Sequence, residues 1–173
     1  EVTWCIGMSE PDSGSDLASL TTTAVRDGDH FVVNGQKIWT SFAAYADYCY
    51  LICRTTSDGP PHRGISEVIV PMSTPGVEIR RIKDMTTNEH FCEVFFTDAR
   101  VPVENLVGVE GAAFKQTMTQ LEHERGGIDR LVSNKALFDM AVERSNTTDA
   151  KVRQEIAQLE IGYRLGRILV TRE

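Results

Sequence analysis

The sequence is short of cysteine. Its four cysteines, Cys5, Cys49, Cys53 and Cys92, all sit inside apolar, strand-like runs. That placement excludes a disulfide-stapled scaffold and reads as buried thiols, which points to a reducing compartment, the bacterial cytoplasm or a mitochondrial matrix. Positive charge is also short: 18 Lys and Arg against 25 Asp and Glu leave a formal net charge of −7. No electrostatic footprint for nucleic acid or an anionic membrane remains, so an anionic ligand must be held by local groups. No apolar run approaches the length of a membrane span, and no basic-then-apolar leader opens the chain. His30, His62, His90 and His123 are scattered, with no pair at ligand spacing, so no structural metal is expected.

What is present is a chain of 173 residues, 41% hydrophobic, enough for one full core or two small ones. Residues 1–107 carry β-branched and aromatic residues between turn signals. Asp27-Gly28 and Asn34-Gly35 predict two hairpin turns, because each pair tolerates positive φ. "DYCYLICRT", "ISEVIVP", "GVEIRRI" and "CEVFFTDARVP" complete roughly seven strands, too closely spaced for crossover helices. An antiparallel β-barrel or sandwich is expected. Across residues 108–173 the period changes: Phe114, Met118, Leu121, Ile128 and Val132 mark one helical face, interrupted at Arg125. After the polar break "SNTTDA", Val152, Ile156, Leu159, Tyr163, Gly166 and Val170 alternate fours and threes. The fold class is therefore α+β, a β domain followed by long amphipathic helices of an incomplete bundle. The second stripe runs on to Glu173 without a stop signal and the chain opens in mid-strand, so it reads as a piece of a longer protein.

Three stretches are candidates for chemistry. In "IGMSEPDSGSD", Pro11 withholds a ladder donor and Gly14 permits close backbone approach, so the strand ending at Met8 opens into a polar bend. Its serines and turn N–H groups form either an anion-binding nest or an ordinary capped turn. In "KIWTS", the Trp39 face packs either in a core or against a flat aromatic ligand. In "LEHERGG", Glu124 and Arg125 flank or interrupt an apolar stripe, which calls for ion partners or a polar cavity. Gly126 and Gly127 follow inside the helix, at a cost of about 1 kcal/mol each relative to alanine, and suggest close approach by another backbone or a ligand.

In combination, "MSEPDSGSD", "NGQKIWTS", "PGVEIRRI…FFTDARVPVENLVG" and a helix carrying "ER" resemble the acyl-CoA dehydrogenase family across essentially the whole chain. The resemblance implies an FAD enzyme whose middle β domain (1–107) and start of the C-terminal helical domain (108–173, truncated) are represented here. It implies that Ile6, Met8, Ser9, Gly14 and Ser15 edge the flavin. Ser9 stands where a threonine usually bonds the pyrimidine side, and Ser15 at the boundary with the substrate. Trp39 matches a tryptophan that packs on the flavin, Thr40 lies beside it, and Ser41 matches a residue bonding near N5. Glu122 and Arg125 match positions that contact CoA, Glu122 replacing the more usual aspartate.

The implied reaction removes an α-proton from an acyl-CoA with a carboxylate and passes a β-hydride to the flavin, giving a trans-2-enoyl-CoA. In the family that base lies either on this helix, where Glu124 stands directly before Arg125, or on a later loop beyond Glu173. The implied partners are the acyl-CoA substrate, an electron-transfer flavoprotein as acceptor, and further homo- or hetero-oligomeric subunits. One feature departs from the pattern: "AVERSNTT" lacks the phenylalanine and glycine of the usual "xxFG" that grips a neighbouring flavin, with Arg144 the candidate for its arginine. A subgroup with paired, non-identical subunits fits such a loss. Two other readings stay open, a related acyl-CoA or nitroalkane oxidase and a non-catalytic subunit that keeps the fold. The 173 residues alone are expected not to turn over substrate, since the site would stand open to water.

Overall fold

The computed structural model describes residues 1–125 and 133–170. Among the described residues, eight strands form one sheet: β1 (Trp4–Gly7), β2 (Thr23–Asp27), β3 (His30–Ser41), β4 (Tyr48–Arg54), β5 (Ile65–Pro71), β6 (Val77–Ile82), β7 (Phe91–Pro102) and β8 (Leu106–Val107). The order is β6-β7-β3-β2-β4-β5-β8, with β1 added to β4. The terminal strands β6 and β8 do not pair with each other, so the sheet is open and the expected barrel closure is corrected. It is also mixed rather than antiparallel, because β1 runs parallel to β4, and β2 touches β4 in parallel at Thr23 and Arg54. The open edge has a physical reason. On β6, half-buried Val77, Ile79 and Ile82 share the strand with exposed Glu78, Arg80 and Arg81, and charged side chains discourage further pairing.

The Asp27-Gly28 turn forms as expected, with Gly28 at φ +63° and Asp27 opposite His30. Asn34-Gly35 does not turn. It lies inside β3, where the register against β7 slips between Val33 and Gly35. Gly35 has φ +146°, and a Cβ there would stand 2.5 Å from Thr22 Oγ1 and 2.7 Å from Thr22 Cα, so the glycine allows a close approach, while the extra residue of the slip lies on β7 at Thr97–Asp98. Asn34 closes the irregularity by donating to Asp98 Oδ1 (3.0 Å) and accepting from the Asp98 N–H (2.9 Å).

The core gathers Phe31, Val33, Leu51, Val68, Val70, Val94 and Val101 with all four cysteines, which are free thiols. Ile65 and Glu67, the alternate positions of β5, are fully buried as well. Glu67 receives the start of α1 (Ala113–Arg125): Thr117 Oγ1 donates to it at 2.6 Å, Tyr50 Oη at 2.7 Å, and Gln116 Nε2 also donates. Burial, reinforced by the bond to Glu67, pushes the Tyr50 phenol up to about 12.

The chain divides into two compact units, Glu1–Thr117 and Met118–Glu173. In the second, α2 (Lys135–Arg144) and α3 (Ala150–Val170) are described after α1, and of the expected first stripe Phe114, Met118 and Leu121 lie on α1. Asp149 caps α3 by accepting from the Lys151 N–H at 2.8 Å. Val152, Ile156, Tyr163, Gly166 and Val170 are half-buried along α3 as its periodicity predicts, whereas Leu159 is 62% exposed. The Lys135 ammonium of α2 lies 5.4 Å from the ring centroid of Tyr163, which joins the two helices.

Candidate flavin-binding face

The site grows from the end of β1. Strand alternation turns Cys5 and Gly7 inward and leaves Ile6 outward, 44% exposed. Gly7 is needed for packing, since a Cβ there would meet Cys49 Sγ at 2.9 Å and Lys37 Cγ at 3.3 Å. Past Gly7 the chain bends, and the bend is pinned at several points. The Glu10 N–H donates to Ser13 O (2.7 Å), the Ser13 hydroxyl donates to Asp16 O (2.8 Å), and the Ile38 N–H of β3 donates to Ser9 O (2.9 Å).

Beneath the bend lies an ion pair in the core. Lys37 Nζ, on a side chain 0% exposed, donates to Glu10 Oε1 at 2.9 Å and to the Met8 carbonyl at 3.0 Å. Glu10, 3% exposed, also accepts from the Thr21 N–H (2.6 Å), the Thr21 hydroxyl (2.7 Å) and the Thr22 N–H (2.8 Å). Burial opposes ionisation of Glu10 and is the largest single influence, but the Lys37 charge and the threonine donors together hold its carboxyl at about 2. Burial likewise pulls the Lys37 ammonium below the ordinary lysine value, with Glu10 opposing. Nearby, burial pushes the Cys53 thiol up to about 12, which keeps it inert.

Two residues beyond Lys37, the register of β3 slips again, between Lys37 and Thr40. Trp39 sits in this irregularity at φ +59° and is 57% exposed. A left-handed tryptophan costs on the order of 1 kcal/mol or more, a strain found where the surrounding structure enforces it. The indole meets Phe91 edge-on at 6.0 Å, Phe91 lies 4.1 Å from His90, and His90 lies 5.7 Å from Phe42, so rings run continuously from Trp39 to Phe42. Phe42, at φ +58°, lines a cleft of about 360 Å³ with Tyr45, Asn88, Glu89 and His90.

The structure thus brings Met8 and Ser9, both half-buried, against the segment of β3 that leads into Trp39 and Ser41, with Ser41 exposed. Gly14 and Ser15 follow in the exposed part of the bend. Thr40 points the other way: its side chain is buried and its Oγ1 has no hydrogen-bond partner. Glu122 and Glu124 are exposed on the last turns of α1, in the second unit. The Arg125 side chain, Gly126, Gly127, Ile128 and Val132 lie outside the described residues. Lys37 and Glu10 are the site residues that the motifs did not single out. The signal was the parity of β3, which places Lys37 with buried Phe31 and Val33.

The exposed indole of Trp39, one residue on from the Ile38–Ser9 hydrogen bond and two before exposed Ser41, fits a flat aromatic ligand with a polar rim. Residues 5–99 match the family model for the acyl-CoA dehydrogenase middle domain. The acyl-CoA dehydrogenase IpdE1 of Mycobacterium tuberculosis is 40% identical over 95% of this chain and 44% of its own length. A solved structure described as the Tcur3481-Tcur3483 steroid ACAD superposes with a TM-score of 0.81 at 36% identity, over 98% of this chain and 46% of that one. The ChsE4-ChsE5 complex from Mycobacterium tuberculosis gives 0.83 at 37% identity, over 99% and 47%. The chain spans less than half the length of these relatives. It belongs to the acyl-CoA dehydrogenase family.

Proposed function

We propose that this chain supplies the flavin-facing β domain and the first C-terminal helices of an FAD-dependent acyl-CoA dehydrogenase. The observation that carries the reading is the strained, exposed Trp39 beside the pinned Met8–Ser9 bend, a ready-made shelf for a planar ring. FAD, when bound, supplies the hydride acceptor. The chain's own residues bind and orient: Trp39, Ile6 and Met8 cover a ring face, Ser9 and Ser41 bond its polar rim, and Ser15 stands toward the substrate. Thr40 contributes through its backbone, because its side chain is buried. Glu124 takes the α-proton of the thioester, with Glu122 and Arg125 binding the CoA portion.

The likeness to the ChsE4-ChsE5 complex and to the Tcur3481-Tcur3483 steroid ACAD supports a partner subunit that is not identical to this one and a bulky acyl group. The divergent "AVERSNTT" segment agrees, since a flavin grip missing here has to come from elsewhere. The test uses the intact protein with its partner subunit. The wild type should take up FAD and oxidise an acyl-CoA, and Glu124→Gln should lower turnover by about 10²–10⁴-fold, the usual contribution of a positioned base. Unchanged turnover removes Glu124 from the role; a wild type that gains no flavin spectrum removes the enzyme reading itself.

A further inference from the structure

The Lys37–Glu10 pair is an unusual expenditure for a β-sheet core. Taking two charges out of water costs several kcal/mol per ion before their attraction is counted, and a well-packed apolar pair of equal volume is often neutral or better. The distinguishing feature is what else Lys37 holds. Of its protein acceptors, one is the Glu10 carboxylate and the other is the Met8 carbonyl, at the point where β1 ends and the bend begins. Glu10 in turn is fastened to the backbone and hydroxyl of the Thr21–Thr22 segment, so the ammonium has a fixed seat.

A peptide unit is planar, and in the trans form its C=O and N–H point in opposite directions. The Met8–Ser9 peptide is trans. With the Met8 oxygen drawn toward the buried ammonium, the Ser9 N–H points away from it. A cation on the carbonyl also polarises the peptide, which strengthens the N–H as a donor. The next carbonyl, Ser9 O, is likewise held by the Ile38 N–H, one residue before Trp39.

We propose that the buried Lys37–Glu10 ion pair is the positioning element of the bend: it draws the Met8 carbonyl inward and so aims the Ser9 N–H, with the Ser9 hydroxyl, at the electron-rich rim of the flavin. Lys37 is a positioning residue that acts through Ser9, and the inference rests on the flavin reading above. A donor aimed at the pyrimidine rim stabilises the extra electron density of the reduced ring, so its loss should make the bound flavin harder to reduce.

The experiment compares the intact wild type with Lys37→Met/Glu10→Gln, which removes both charges at nearly constant volume. The double variant should stay folded, bind FAD about tenfold more weakly, as expected for one lost hydrogen bond of about 1.4 kcal/mol, and hold it at a lower midpoint potential. A folded variant that binds FAD with wild-type affinity and potential overturns the proposal and leaves the flavin reading intact. A wild type that takes up no FAD overturns both. If the variant does not fold, hydrogen exchange in the wild type decides: FAD should slow exchange at the Ser9 amide at least about tenfold, and an unaffected Ser9 amide overturns the aim assigned to it.

Discussion

Gly14 and Gly35 differ in what surrounds them. A Cβ at Gly14 would meet nothing within 4 Å, so Gly14→Ala should leave stability unchanged or raise it by about 0.4–1 kcal/mol through the unfolded chain. If the bend approaches a ligand as proposed, FAD affinity should fall in the same variant. Gly35→Ala should instead cost on the order of 3 kcal/mol in denaturant unfolding, because its φ is +146° and the new carbon would overlap Thr22. Glu10 gives a pH dependence whose sign is fixed. Its folded value, about 2, lies below the ordinary 4.5, so its contribution is present above pH 4.5 and is lost as pH falls toward 2. Acid unfolding followed by circular dichroism should show this loss in the wild type, and Glu10→Gln should flatten it. Residue types told part of this story. Ser9 and Trp39 stand out in the chain because hydroxyls in a bend and an indole between polar neighbours are visible in one dimension. Lys37 does not stand out, since a lysine reads as a surface residue until its strand partners and the distant Glu10 are placed around it.

Among elements, the informative contrast is between two dipeptides of the same kind. Asp27-Gly28 turns because the strands flanking it pair with each other directly. Asn34-Gly35 has equal local freedom, yet β3 continues through it, held by the long pairing with β7 and by the Asn34–Asp98 bonds. Local turn chemistry yields to a ladder whose partner lies 64 residues away. The helical stripe of α3 was legible because its period repeats over many turns, while the pairing of β1 with β4 was not, since a parallel neighbour leaves no turn between its strands. The start of α1 is fixed by chemistry that only the folded state reveals, the buried Glu67 carboxylate. Thr117→Val removes the 2.6 Å donor to that carboxylate and should cost about 1.5–3 kcal/mol, the range for a hydrogen bond to a charged group. Thermal unfolding of that variant beside the wild type checks it.

At the scale of the molecule, the two units differ in how they are held. The first has a core of fully buried side chains spread over β3, β4, β5 and β7. In the second, no residue of α2 or α3 is fully buried, and Leu137, Leu165, Ile168 and Leu169 stand exposed. Hydrogen exchange should therefore protect amides of the four strands at least about 10³-fold more than those of α2 and α3. Equal protection would mean that the helices draw stability from contacts other than those of their half-buried stripe. Composition foretold this contrast only in outline, because it gives the apolar residues without saying which of them meet.

The irregularity that carries Trp39 has a consequence of its own. The outward aim of that side chain is set by a kink in the main chain, enforced from both flanks, and not by the identity of the residue. The position therefore behaves as a socket. Phenylalanine or tyrosine placed there would be delivered to the same spot, so under the proposed flavin reading the ring offered to the ligand can be exchanged by one codon without rebuilding the strand beneath it.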